Sequence, residues 1–367
     1  MPTLPNKEEF KYKECIVGGD PCWLINPEDM GTKWFDDNSR FRSCIVRQSD
    51  NFVVSQGFGK FVNFSERPEF QPWDESWPID ARHKLDGSLL IVSKYKGEFI
   101  CRTRGTIDAR QLDNGHEIDT LIEKYPWVFG SGFWTLLQKS DTHNVTLLFE
   151  WTTPTNIIVL RESEEPTLTL VGAVYNDTCE YFTQDQLDDL AKNTFKVPRP
   201  KKYSYKNIYE CMLDVEAWVG KEGVVLYSPD GQTLKKIKAD LYCELHKLAT
   251  GIKGVKQVLD VFIASPKFIE EKDFYNYIEN TLDFEIAEKC KDYIGQVTEA
   301  YGKVVHTRTI IDLEIERYIS KYDTRKEQAL AITTQWSGWM IPYAFQKLDD
   351  KVIDDKIIRI AIESYID

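Results

Sequence analysis

Lys84 in KLDGSL, Glu150 at the end of LLFE, Glu222 in KEGVVLY, and Lys236 with Lys238 in LKKIKADLY have types and spacings that can do chemistry. Amines can attack an electrophile or neutralise a phosphate, and carboxylates can ligate a hard cation. Glu150 closes an apolar run that otherwise reads as a buried strand, where a charge needs a partner. Positions 236 and 238 are two apart, so on a strand both side chains face one way. His83 beside Lys84 then points to the opposite strand face and reads as packing. The histidines at 83, 116, 143, 246 and 306 are widely separated, so no His/Cys cluster competes for a metal. Each piece alone also has a plain reading. A lysine near an Asp-Gly turn is a solvated hairpin residue, the lysine pair a basic strand edge, and either glutamate an exposed strand residue.

The elements that must position these groups change character along the chain. From about residue 40 to 240, short runs rich in Val, Ile, Phe and Leu alternate with Gly, Asp, Asn and Pro, and they read as strands. SCIVRQ, DNFVVSQ, GSLLIVSKY, EFICRTRG, NVTLLFEWTT, NIIVLRE, TLTLVGAVYN and EGVVLYSP are the clearest. HEIDTLIEKYPWVF and TQDQLDDLAKNTF carry helical spacing between them. Beyond about residue 243 the period is near 3.6 with few Gly or Pro, which predicts an all-helical domain. The seam is expected within LYCELHKLATGIKGVK. The segment KVPRPKKYSYK, residues 196–206, interleaves cations, tyrosines and prolines. It reads as a solvated connector, with tracking of a phosphate backbone as the alternative.

A chain of 367 residues, 42% apolar and 29% charged, is long enough for two domains with separate cores. Its eight cysteines form no CxxC pair, which fits a reducing compartment rather than a disulfide scaffold or zinc framework. The polar start MPTLPNKEEFKYKE lacks the apolar core of a signal peptide, and the 17-residue stretch ALAITTQWSGWMIPYAF falls short of a membrane span. A net charge of −13 argues against a surface built to coat nucleic acid, yet a local basic groove remains compatible with it.

In order along the chain, KLDG, RTRG, LLFEW, KEGVVLY and LKKIKADLY resemble the nucleotidyl-transferase motifs of ATP-dependent ligases and capping enzymes. KLDGSL, GKFVNF, FEWTTPTNIIVL, EGVVLY and KKIKADLY together resemble the RNA ligase 1 family of T-even bacteriophages, over roughly residues 40–245. The resemblance implies an α+β fold: an ATP-grasp-like nucleotidyl-transferase domain with antiparallel sheets over residues 1–243, then a helical domain over 244–367 that it associates with RNA specificity. It makes Lys84 the nucleophile that takes AMP from ATP, with Lys236 and Lys238 assisting. An amine with an ordinary pKa near 10.4 is protonated at neutral pH, and freeing it requires about 4 kcal/mol of differential stabilisation. Nearby cations and a bound metal are the expected sources.

By the same resemblance Arg42 and Lys60 clamp the outer phosphates, Arg104 stands where the family has lysine, and Tyr242 matches an aromatic position. Asp86 and Gly87 form a turn that lets the backbone approach the nucleotide, with Ser88 as a polar contact. Glu150 contacts the ribose or a metal-bound water, and Glu222 belongs to the metal site; both are candidate ligands of Mg²⁺ or Mn²⁺. The activity implied is ATP-dependent joining of RNA 5′-phosphate and 3′-hydroxyl ends, as in repair of cleaved tRNA. The expected agent is a monomer in the cytoplasm, that of a host if the source is viral. A DNA ligase or capping guanylyltransferase shares the lysine chemistry but normally continues into an oligonucleotide-binding β-barrel, where this chain turns helical. A non-catalytic RNA-binding protein with a nucleotide pocket is the remaining alternative.

Overall fold

The computed structural model describes residues 2–28, 32–112, 114–133, 136, 144–154, 159–251, 254–281 and 284–366. They divide into two compact units, Met1–Ala239 and Asp240–Asp367.

Among its described residues the first unit holds three four-stranded sheets. The first runs β1 (Phe10–Val17), β2 (Asp20–Pro27), β3 (Cys44–Arg47), β4 (Val53–Gln56). The second has the order β10 (Lys202–Tyr203), β5 (Asp80–Lys84), β11 (Gly223–Tyr227), β12 (Leu234–Lys238). The third has the order β7 (Glu98–Arg102), β6 (Ser88–Tyr95), β8 (Val145–Thr152), β9 (Thr167–Tyr175). Neighbouring strands in all three pair antiparallel, so the α+β class with antiparallel sheets is as the sequence predicts.

Two of these sheets bury one face and leave the other for the site. In the third sheet, Leu90, Val92, Leu147, Phe149, Trp151, Leu168 and Leu170 pack on Ile118 and Leu121 of α1 (Glu117–Lys124) and on Phe195. In the second, Ala81, Val224, Leu226 and Ile237 pack on Ile208, Cys211 and Val215 of α3 (Ile208–Glu216). The alternate residues of these strands face the other way, as the two-residue period requires.

Two strand assignments differ from expectation. The hairpin β1–β2 lies upstream of residue 40, where no strand was expected, and turns on Gly18 and Gly19, both at positive φ (55° and 80°). That geometry matches a type I′ turn. Residues 159–162 of NIIVLRE are irregular, and 156–158 lie outside the described residues. The reason is a competing partner: Asp86 accepts hydrogen bonds from the N–H groups of Val159 (2.8 Å) and Leu160 (2.7 Å), taking donors a ladder would use.

An ionic knot joins the second and third sheets. Arg82 on β5, 5% exposed, makes a bidentate bond to Asp188 (3.1 and 2.9 Å) on α2 (Gln184–Asp189) and another bond to Asp80 (2.8 Å). Arg199 also donates to Asp188 (2.8 Å) and to the Leu170 carbonyl on β9. Burial alone would raise the Asp188 carboxyl; the bonds from Arg82 and Arg199 overcome it and hold the pKa below its ordinary value. Its stabilisation is therefore present above the unfolded pKa and is lost as pH falls through the folded one. Arg82→Met is expected to destabilise the unit by about 2 kcal/mol, less than a fully buried pair because Asp188 is 42% exposed. Urea unfolding measures this.

The second unit is helical: α4 (Asp240–Thr250), α5 (Val255–Ala264), α6 (Glu271–Thr281), α7 (Phe284–Arg317), α8 (Arg325–Gln335), α9 (Met340–Leu348) and α10 (Asp355–Glu363). Along α7, Cys290, Ile294, Val297, Tyr301 and Val304 recur at three and four residue spacing and are buried. Arg359 on α10 is bonded to Asp260 on α5. Among the described residues no helix is long and apolar enough to cross a membrane.

Candidate functional site

Strand register assembles the site. Across β5, β11 and β12, Lys84 stands opposite Gly223 and Gly223 opposite Lys238; two residues on, Arg82, Val225 and Lys236 form the next row. Lys84 and Lys238 thus flank the strand that begins after Glu222. Glu222, 2% exposed, reaches both: Oε2 lies 2.6 Å from Lys84 Nζ and Oε1 2.8 Å from Lys238 Nζ. Glycine at 223 is what allows this closeness. Its φ is 147°, and a Cβ there would stand 2.1 Å from the Ile237 carbonyl oxygen.

These lysines open into a cleft of about 280 Å³. Lys84, Val225, Tyr227, Leu234, Lys236 and Lys238 line it from the second sheet, and Leu89, Glu150 and Val171 from the third. Arg42, Phe58, Phe61, His83, Leu85, Gly87 and Pro200 complete the wall. Burial pushes the Lys236 ammonium down to about 8, and Lys238, Lys84, Arg42 and Lys60 push the same way. Arg42 is lowered to about 10 by burial and by Arg104. Both cations sit over Phe61, at 5.9 Å each from its ring centroid. Facing them, the Glu150 carboxyl is raised to about 8 by burial, opposed by Lys84 and reinforced by Glu222 and Asp86. Like charges held together at such cost indicate an anionic ligand at the cation end and a cation between the acids.

A divalent ion fits this donor set. Glu150 and Glu222 offer hard oxygen donors, and the Glu222 charge helps raise the Glu150 carboxyl, a strain that a cation relieves. Among the described residues no group of three or more His, Cys, Asp or Glu gathers for a metal, so water and phosphate oxygens would complete the shell.

Several expected site residues have other surroundings. KLDG is no hairpin: β5 and β6 belong to different sheets, and residues 85–87 connect them. Asp86, 2% exposed, is directed at the Val159 and Leu160 amides instead of the cleft. Gly87 lines the cleft, but its lack of a side chain is dictated by β8, since a Cβ would stand 2.6 Å from the Trp151 carbonyl oxygen. Lys60 lies outside the lining, its ammonium 5.8 Å from the Trp34 ring. In RTRG, Arg104 is exposed and outside the lining, acting on Arg42 only through its field, whereas Arg102 is wholly buried and bonded to Ser43 and Ser55. Tyr242 belongs to the helical unit, on the first turn of α4 beside His246. Lys84 itself is ion-paired to Glu222, in addition to facing the cations expected around it.

Phe58 and Phe61 are cleft residues that sequence reasoning passed over. Their centroids are 6.0 Å apart, and Phe58 also leans on Tyr181. The signal was present in GFGKFVNF, where aromatics flank the lysine already singled out.

The family model of RNA ligases of the T4 RNA ligase 1 type matches residues 40–243. A putative bifunctional polynucleotide kinase/RNA ligase of Autographa californica nuclear polyhedrosis virus is 29% identical over 238 residues, 56% of this chain and 30% of that protein. The chain thus matches less than a third of that relative's length. Among solved structures, an archaeal ATP-dependent RNA ligase is similar with a TM-score of 0.44 and 12% identity, covering 89% of this chain and 77% of that one. A Naegleria gruberi RNA ligase with AMP and Mn is similar with a TM-score of 0.33 and 19% identity, covering 47% of this chain and 53% of that one.

Proposed function

The chain belongs to the T4 RNA ligase 1 family, and from that premise we propose that it joins RNA 5′-phosphate and 3′-hydroxyl ends at the expense of ATP, through AMP carried on Lys84. The observation that carries this reading is that Lys84, Lys236 and Lys238 line one nucleotide-sized cleft, with buried Glu222 bridging Lys84 and Lys238. Lys84 Nζ bonds to the α-phosphorus as the bond to pyrophosphate breaks, forming a phosphoramidate. The RNA 5′-phosphate then displaces Lys84 to form an RNA-adenylate, and the 3′-hydroxyl displaces AMP to seal the strand. Three in-line displacements share one pocket, which accounts for a site rich in cations and poor in general bases.

Lys236, Lys238 and Arg42 neutralise charge on the phosphates and the departing pyrophosphate. Phe58 and Phe61 give the cleft aromatic faces for the base. Glu150 and Glu222 hold Mg²⁺ or Mn²⁺, which supplies charge neutralisation at the transferring phosphoryl group. Glu222 holds and orients the Lys84 side chain. The helical unit is assigned to RNA selection, with a cleaved tRNA loop as the substrate to offer first. A host cytoplasm is the proposed site of action.

Labelled ATP with Mg²⁺ tests the reading: the protein should form an AMP adduct that survives SDS and alkali and is released by hot acid, as a phosphoramidate is. Label from GTP instead redirects the assignment to capping, and no label at all favours a binding protein. The pH dependence is a further expectation. With a pKa about 8, Lys236 is charged at pH 7 and loses its charge as pH rises. kcat/KM for ATP should therefore fall several-fold between pH 8 and about 9.5, reporting the free enzyme. Lys236→Arg, which keeps its charge, should flatten that decline.

A further inference from the structure

The basic segment 196–206 is only partly used by the fold. Lys196 covers the Trp127 ring at 4.6 Å, Arg199 is tied to Asp188, and Lys202 to Asp80 at 2.7 Å. Lys201 is in none of these pairs. Its ammonium lies 5.1 Å from the Tyr203 centroid, and Lys221 lies 4.3 Å from Trp218 and 5.3 Å from Tyr203. The Tyr203 and Trp218 rings are 4.7 Å apart, and His83 stacks on Trp218 at 28° and 6.4 Å. The nearby carboxylates are engaged elsewhere. Glu162 accepts from the Asp86 N–H (3.1 Å) and faces His83, while Asp214 accepts from Tyr205 Oη (2.6 Å) and Trp218 Nε1 (3.0 Å). Neither Lys201 nor Lys221 is in an ion pair among the described residues.

This cluster adjoins the cleft through His83, which lines the cleft and stacks on Trp218. Lys201 follows Pro200, His83 precedes Lys84, and Lys221 precedes Glu222. We propose that Lys201, Tyr203, Trp218 and Lys221 form a docking platform for single-stranded RNA at the rim of the nucleotide cleft, a base stacking on the rings while the two ammonium groups meet flanking phosphates. Aromatic faces accept any base and unpaired lysines accept any phosphate, so the platform reads no sequence. An ammonium parked over a ring is only weakly held and can swing to a phosphate. On a chain of net charge −13, two unpaired cations beside the reactive lysine are where an RNA strand gains most. The assignment rests on the RNA-joining reading above.

The test uses the full chain and a fluorescent 5′-phosphorylated single-stranded RNA of about 12 nucleotides, with Kd measured by anisotropy over a range of salt. Lys201→Glu with Lys221→Glu should raise Kd at least about 10-fold and reduce the salt slope by about 0.7 per lost contact. Trp218→Leu should weaken binding with the slope retained; if that variant misfolds, the lysine pair still decides. Labelled AMP-adduct formation in the same preparations should be unchanged, because none of these residues is assigned to the ATP step. An unchanged Kd and slope, or no RNA binding by the unaltered chain, overturns the platform. Absence of the adduct in the unaltered chain sinks the ligase reading instead, and the Kd shift then judges the platform alone.

Discussion

Lys84→Ala is expected to abolish the AMP adduct, a loss of at least about 10⁴-fold, while the fold survives. No neighbour is placed to replace the lost amine. Lys238 is on the far side of Glu222, two strands away, and Lys236 is one row further along β12. Lys84→Arg should fail equally, since a guanidinium keeps the charge but is no nucleophile at neutral pH. The Lys84 side chain is 24% exposed, and Glu222 keeps Lys238 as a partner after the change. The urea midpoint should therefore stay near that of the unaltered chain. An adduct of undiminished yield in Lys84→Ala, located by peptide mapping to another lysine, would remove the basis of the functional assignment.

What the sequence shows of this site follows the range of the interactions involved. Spacing along one strand is local, so the shared face of Lys236 and Lys238 was readable from a separation of two. Register between strands is not local. That Lys84 and Lys238 both meet Glu222 depends on β11 pairing with β5 on one side and β12 on the other, which no period in the chain encodes. Gly223 shows the same division: its type is visible, but the reason for it is the backbone of β12 at Ile237. The apolar run after Thr155 reads as a strand by composition, and a carboxylate more than 70 residues upstream diverts its amides. The hairpin β1–β2 was legible and passed over: Gly18-Gly19 between two strand-length runs is a type I′ signal, masked by the charges that alternate along FKYKE. The helical unit was the easiest to read, because its core positions recur within single helices.

Glu222→Gln distinguishes two roles that the ion pairs alone leave mixed. If the carboxylate only restrains Lys84, removing its charge frees the amine and adduct formation speeds up. If it also holds the divalent ion against the transferring phosphoryl group, adduct formation falls by at least about 100-fold and half-maximal activity moves to higher Mg²⁺. The second outcome is expected. Glu150 has little room to compensate, since burial, the largest cause of its raised carboxyl, persists when the Glu222 charge is removed and leaves it a weaker ligand. The effect on stability should be small, about 1 kcal/mol by urea unfolding, because Lys84 and Lys238 remain 24% and 25% exposed and rehydrate when their partner is neutralised. A faster reaction at unchanged Mg²⁺ dependence would take Glu222 out of the metal site and leave it as a latch on the lysine.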